Sequence, residues 1–101
     1  LTYHAKVERI DRLAECLTVL GMGKIMVQAK DNRYLGTVRQ LTATGIVLVF
    51  DEKSNRLVTG YMATVAQMHM IYRQANIEKI PSKLYQRIHK NNDKFSYLHD
   101  F

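Results

Sequence analysis

The chain has 101 residues, a formal net charge of +6, one cysteine and one proline. That length fits one compact domain spanning residues 1–101, and a composition of 47% hydrophobic and 24% charged residues excludes a disordered chain. No run approaches the roughly 18 consecutive apolar residues that a membrane span requires, so we expect no membrane association.

The cysteine count and the first residues bear on the cellular compartment. Cys16 has no second cysteine with which to form an internal disulfide, which favours a reducing environment. Leu1 to Lys6 lack the continuous apolar block of a signal peptide. We therefore expect a small basic protein of the cytoplasm, and its positive charge favours acidic partners, chiefly nucleic acid.

The first predicted element is a helix from Tyr3 to about Leu20. Its apolar side chains recur with helical spacing and form one stripe, which comprises Val7, Ile10, Leu13, Ala14 and Leu17. Gly21 and Gly23 end the helix, because glycine readily adopts the positive φ of a helix terminus. Cys16 lies near the apolar stripe and is expected to be a buried thiol.

Between residues 24 and 62 the hydrophobic period changes from helical to alternating, which predicts strands. The connections between them are too short for crossover helices, so we expect an antiparallel sheet of three or four strands. The third strand is continuously apolar and is therefore expected to be central and covered on both faces. The predicted strands cover about residues 24–30, 33–41, 45–50 and 56–62.

A second helix is predicted to begin at Thr64. Thr64 and Gln67 have the spacing of a capping box, in which each side chain satisfies a backbone N–H of the other residue. The apolar face of this helix consists of Val65, Met68, Ile71, Tyr72 and Ala75.

Pro81 is expected just inside the start of a last helix, which ends at Asn91 and Asn92. Its predicted inward side chains are Leu84, Tyr85 and Ile88. An aromatic tail over residues 93–101 is expected to dock on the body of the domain or on a partner. The chain is thus predicted to be one α+β domain, with an N-terminal helix, an antiparallel three- to four-stranded sheet and two C-terminal helices.

Positive charge is densest after residue 70. Residues 71–101 contain six lysines and arginines against three acidic residues, which indicates a surface that attracts polyanions. We expect the C-terminal helices to hold a polyanion there, assisted by a guanidinium from the second strand that suits a phosphate. The predicted substrate-binding residues are Arg39, Arg73, Lys83, Arg87 and Lys90.

Several kinds of site have no support in the sequence. There is neither a GxxxxGK[ST] loop nor a GxGxxG loop to cradle a nucleotide phosphate. The histidines of the second half and the cysteine are separated by ten residues or more, without the close ligand pairs of a zinc site. We therefore expect no metal and no cofactor.

One constellation of residues suits chemistry. Thr59 and Tyr61 alternate along the fourth strand and share a face, predicted to be exposed or cleft-lining, while Gly60 lets a backbone or ligand approach closely. His4 stands at the polar start of the first helix, and the imidazole pKa of about 6.5 suits proton transfer at neutral pH. The simpler interpretation is that these are ordinary strand and surface residues.

The segments Tyr3-His4-Ala5 and Leu57-Val58-Thr59-Gly60-Tyr61, with Arg9 and Arg12 between them, resemble a group of small bacterial and phage domains. These lie near the RelE-type toxins in the barnase–EndoU–colicin–RelE ribonuclease fold, and the resemblance covers residues 3–62. It implies an RNA-cleaving cleft lined by His4, Arg12, Thr59 and Tyr61.

The resemblance further implies a metal-independent endoribonuclease in which the RNA 2′-hydroxyl attacks the adjacent phosphate. That reaction needs a base, an acid and cations for the developing charge. His4 is then the base or acid, and Arg12 and Arg39 stabilise charge. Thr59 and Tyr61 position the phosphate or donate a hydrogen bond. A cognate antitoxin or immunity protein is the implied protein partner.

Two other functions stay open from the sequence. The chain fits a non-enzymatic nucleic-acid binder that stacks bases on tyrosines, namely Tyr34, Tyr61, Tyr72, Tyr85 and Tyr97. It also fits a phage-encoded inhibitor or small oligomer with an adaptable apolar surface of methionines, namely Met22, Met26, Met62, Met68 and Met70. The sequence leaves the oligomeric state open.

Overall fold

The structure is a computed structural model, and it describes residues 13–31 and 36–95. It confirms the predicted α+β order of one helix, four strands and two helices. Helix α1 is described over residues 13–20. The elements that follow are β1 (Ile25–Lys30), β2 (Thr37–Thr42), β3 (Ile46–Asp51), β4 (Leu57–Met62), α2 (Val65–Gln74) and α3 (Ser82–Lys94).

The four strands form one antiparallel sheet in the order β1-β2-β3-β4. Each strand pairs with the next along the chain, as the short connections require. One row of register partners crosses the whole sheet and is buried throughout, and it consists of Val27, Leu41, Val47 and Tyr61. The third strand is interior to the sheet, and its first three residues are buried on both faces, as predicted.

Helices cover the two faces of the sheet separately. On one face the core includes α2 and α3, and its largest side chains are Leu41, Val47, Tyr61, Met68, Ile71, Tyr72, Leu84 and Ile88. On the other face the core consists of α1 packed on the remaining positions of β3 and β4, with Leu13, Cys16, Leu20, Ile46, Leu48 and Met62. Burial of the Cys16 side chain is confirmed.

Gly60 determines how closely α1 approaches the sheet. A Cβ atom at this position would lie 2.5 Å from Cδ1 of Leu13, a distance that atoms in folded proteins do not tolerate. The absence of a side chain therefore makes room for the first described residue of α1. The close approach at Gly60 comes from the side chain of Leu13 and not from the backbone or ligand that the sequence led us to expect.

The start of α2 follows directly from local sequence. The Thr64 hydroxyl accepts a hydrogen bond from the backbone N–H of Gln67 at 3.1 Å, and the Gln67 side chain accepts one from the backbone N–H of Thr64 at 2.8 Å. This is the predicted capping box. It fixes the start of α2, whose residues Met68, Ile71 and Tyr72 are buried.

The last helix differs from its prediction at both ends. Pro81 is the N-cap residue, directly before the first helical residue, and the helix continues to Lys94. It does not end at the asparagines because their side chains make tertiary hydrogen bonds: Asn91 donates to the carbonyl of Thr44 and Asn92 to the carbonyl of Ala63, each at 2.8 Å. These bonds fasten α3 to the β2–β3 turn and to the end of the sheet.

The predicted inward face of α3 was wrong at Tyr85. Leu84 and Ile88 are buried, whereas Tyr85 is 39% exposed. Consecutive helical residues are about 100° apart, and the buried stripe runs through Leu84, Ile88 and Asn91, which turns the tyrosine toward the outer surface.

Parts of several predictions fall outside the described residues. These are the first helix before residue 13, the second strand before residue 36 and the tail after residue 95. Phe95, the first aromatic residue of the tail, packs against the core beneath α1. Of the helices in the described ranges, none is long and apolar enough to cross a membrane.

Candidate functional site

Three predicted phosphate-binding cations form a stripe on α3. Lys83, Arg87 and Lys90 are spaced by four and three residues, which places them on one side of a helix over a length of about 10 Å. All three are exposed. Because Leu84, Ile88 and Asn91 fasten the helix through another side, this stripe is free to face a ligand.

The stripe forms one wall of an open groove of about 800 Å³ between α3 and the start of β1. Lys79, from the connection before α3, and Lys24, from the residue before β1, complete its charged lining. Met26, Leu84 and Pro81 supply apolar surface between these charges. We call this feature the basic groove.

The basic groove is electrostatically one-sided. It collects five lysine and arginine side chains, all of them exposed. Among the described residues that line it there is no aspartate or glutamate. Neighbouring cations of one sign on a helix repel each other by a few tenths of a kcal/mol, so an anionic ligand both neutralises the groove and relieves this repulsion. Such a surface concentrates polyanions from solution.

Arg73 lies apart from the other predicted binding residues. It is exposed on α2 and lines a separate depression with His69, Asn76 and Glu78. The carboxylate in that depression reduces its attraction for anions. The structure therefore brings together three of the predicted cations, Lys83, Arg87 and Lys90, and leaves Arg73 on another surface.

Arg39 is part of the interior. Its side chain is 1% exposed, its Nε atom lies 3.5 Å from a carboxylate oxygen of Asp31, and one terminal nitrogen donates a hydrogen bond to the side chain of Gln74. Asp31 is equally buried. Arg39 thus connects the sheet to the C-terminal end of α2. Because its guanidinium is enclosed in this way, it has no open path to a phosphate on the surface.

Thr59 and Tyr61 do share one face of β4, as predicted, and it is the face beneath α2 and α3. Thr59 also lies in one cross-strand row with Arg39, since Val49 is the register partner of both. Of the two settings expected for this face, exposed or cleft-lining, the exposed one is wrong: each side chain is 7% exposed, and Tyr61 packs among the core side chains. The period-two alternation correctly predicted that the two side chains share a face, but α2 and α3 cover that face.

His4 and Arg12 lie outside the described residues. The described part of α1 begins at Leu13, the residue after Arg12, and packs on the sheet face opposite to Thr59 and Tyr61. Their assignment as catalytic residues stays a prediction.

The tyrosines predicted to stack bases differ in accessibility. Tyr61 and Tyr72 are buried, Tyr85 is exposed, and Tyr34 and Tyr97 lie outside the described residues. Burial raises the pKa of the Tyr72 phenol above its ordinary value of 10.0, because the charged phenolate is poorly solvated there. Only Tyr85, among the described tyrosines, presents a ring to a ligand.

The methionines do not form the adaptable apolar surface that an interaction module requires. Met62 and Met68 are fully buried, Met26 and Met70 are partly buried, and Met22 alone is exposed. Met68 and Met62 belong to the two cores, and Met26 packs against the first of them, as flexible side chains that fill gaps do.

A metal centre is not formed by the described residues: within 13–31 and 36–95, no three histidine, cysteine, aspartate or glutamate side chains are grouped to hold an ion. Comparisons with protein-family models, with curated proteins and with solved structures found no match for the chain.

Two cations of the basic groove, Lys24 and Lys79, were not among the predicted substrate-binding residues. Lys79 belongs to the densest basic region, and its position just before the proline that starts α3 was a usable signal. Lys24 gave no such signal. It joins the groove because α3 is bonded through Asn91 to Thr44, and the neighbouring Ala43 donates its backbone N–H to the carbonyl of Lys24.

Proposed function

We propose that this protein binds RNA through the basic groove and has no catalytic role of its own. The observation that carries the proposal is the concentration of five exposed cations on a lining whose described residues include no aspartate or glutamate. Nucleic-acid affinity depends chiefly on neutralising phosphates and releasing their counterions, which requires only such an arrangement. We place this role in the cytoplasm, because a lone cysteine favours a reducing environment.

The two kinds of lining have different tasks in this proposal. Lys83, Arg87 and Lys90 contact successive phosphates along α3, and Lys24 and Lys79 contact the strand from the opposite wall. Met26 and Pro81 pack against the apolar edges of ribose and base. Phosphate contacts of this kind position a strand without reading its sequence, so we expect little sequence preference from the groove itself.

The test compares two double variants with the same change in net charge. Lys83→Gln/Arg87→Gln removes two groove cations. Lys53→Gln/Arg56→Gln removes one lysine and one arginine from exposed positions in and after the β3–β4 turn, at the opposite end of the sheet. With unstructured RNA at about 50 mM salt, we expect the groove variant to bind roughly tenfold more weakly and the control to bind within about twofold of wild type.

Equal weakening in the two variants would mean that RNA responds to the net charge of +6 and not to the groove. That result would overturn the proposal. Both variants replace exposed side chains, so both are expected to stay folded, which a circular dichroism melting curve verifies.

The endoribonuclease remains the competing prediction. The burial of Thr59 and Tyr61 favours the binding function over it, because a substrate phosphate must reach both side chains. Incubating labelled RNA with the protein in EDTA decides between them. We expect intact RNA. Cleavage that falls about 100-fold in His4→Ala would instead establish the ribonuclease, and only then is an antitoxin or immunity protein expected.

A further inference from the structure

Three aromatic rings meet on the outer surface of the two C-terminal helices. Tyr85 and His89 lie one turn apart on α3 with ring centroids 4.6 Å apart, and the rings of Tyr85 and His69 of α2 are nearly perpendicular with centroids 6.0 Å apart. Tyr85 is 39% exposed, and both histidines are exposed. We call this cluster the aromatic platform.

The aromatic platform does not contribute to either core. Its side chains point away from the stripe through Leu84 and Ile88 that packs on the sheet. A tyrosine on a helix surface is ordinarily free to move, whereas here His69 and His89 contact the ring from two helices and restrict its orientation. A restricted, exposed ring is suited to stack against another flat ring.

The platform and the basic groove flank the same exposed ridge of α3. His89 and Lys90 are adjacent in sequence and about 100° apart around the helix axis. Tyr85 and His89 therefore face the α2 side, and Lys83, Arg87 and Lys90 face the groove side. A strand lying over this ridge can place phosphates on one flank and bases on the other.

We infer that the aromatic platform stacks unpaired bases and that the preferred ligand is single-stranded RNA. This inference rests on the proposed function, because the groove cations supply the charge complementarity that brings the strand to α3. A duplex keeps its bases stacked on each other and offers the platform no free base face, whereas a single strand does. Stacking on a tyrosine tolerates every base, so the selection concerns strandedness and not sequence.

The test uses two oligomers of about 12 units, an unstructured RNA and an abasic ribose-phosphate strand of equal charge. Tyr85→Ala is expected to weaken binding of the RNA roughly fivefold or more and to leave binding of the abasic strand unchanged. Tyr85→Phe keeps the aromatic ring and is expected to bind RNA as wild type does. Tyr85→Leu keeps an apolar side chain without the ring and is expected to behave like Tyr85→Ala.

The matched control is Val19→Ala. Val19 is 38% exposed, close to the exposure of Tyr85, and lies on α1 at the opposite face of the sheet. It is expected to have no effect on either oligomer. Wild-type affinity for RNA in Tyr85→Ala, or equal loss for RNA and the abasic strand, would overturn the inference while leaving the groove proposal intact. Failure of the wild-type protein to bind either oligomer would overturn both.

Discussion

Arg39 and Arg87 are the same residue type in opposite surroundings. Arg39 is enclosed beneath α2, beside the buried carboxylate of Asp31 and the side chain of Gln74. Arg87 is exposed in a groove whose described lining contains no acidic residue. A buried cation needs a partner because removing it from water is costly, whereas a cation left in water is available to a ligand. The surroundings of each cation therefore show whether it stabilises the interior or is available to a ligand, whereas the net charge of the chain counts both alike.

The largest expected effect follows from removing the buried cation. Arg39→Met removes the guanidinium from beside the buried Asp31 carboxylate, whose side chain is 5% exposed. Loss of one partner from a buried pair costs roughly 3–5 kcal/mol, so the free energy of unfolding in urea should fall by about that amount. Arg87→Met is the matched control and should change it by less than about 0.5 kcal/mol. Equal free energies of unfolding in the two variants would contradict the claim that Arg39 stabilises the fold and Arg87 does not.

A second substitution tests the other face of the same sheet. Gly60→Ala adds a methyl group 2.5 Å from Leu13 Cδ1, and overpacking of this kind typically costs about 1–3 kcal/mol. The urea midpoint should fall, while RNA affinity at a temperature where the variant is folded should not change. In a Leu13→Ala background the same substitution should cost less, because the clashing atoms are gone. An additive double-mutant cycle would contradict this account of how α1 docks.

The smallest effect is confined to alkaline pH. Burial raises the pKa of Tyr72 in the folded protein, while the unfolded chain titrates near 10.0. Above that value the unfolded state loses its proton first, so the tyrosine lowers stability as pH rises through the interval up to its folded pKa. Tyr72→Phe removes this contribution. Urea unfolding between about pH 9 and 11 should show a shallower loss of stability in the variant, and parallel curves would show that Tyr72 keeps its ordinary pKa.

Local signals in the sequence were sufficient for the fold. The capping box of Thr64 and Gln67 involves residues three apart, and the alternation of the strands identifies which residues share a face without knowledge of what covers it. The same alternation places Arg39 on the face of Leu41, which is fully buried. A cation in phase with core residues was therefore a readable sign of an interior role.

The site depended on packing between distant segments, which one sequence does not specify. Lys24 reaches the basic groove only because Asn91 and Asn92 fasten α3 to the end of the sheet. The exposure of Tyr85 likewise reflects the rotation of α3 about its axis, and an error of one position in the buried stripe corresponds to about 100°. The helical period predicts that α3 has an apolar stripe, and tertiary contacts determine how the helix is rotated and therefore which residues are exposed to solvent.

The salt dependence of RNA binding tests the basic groove most directly. For a single strand, the slope of log Kobs against log salt changes by about 0.7 for each phosphate contact. The slope for Lys83→Gln/Arg87→Gln should therefore be shallower than that of wild type by about 1.4, while Lys53→Gln/Arg56→Gln should keep the wild-type slope. Identical slopes for all three proteins would contradict the assignment of phosphate contacts to this groove.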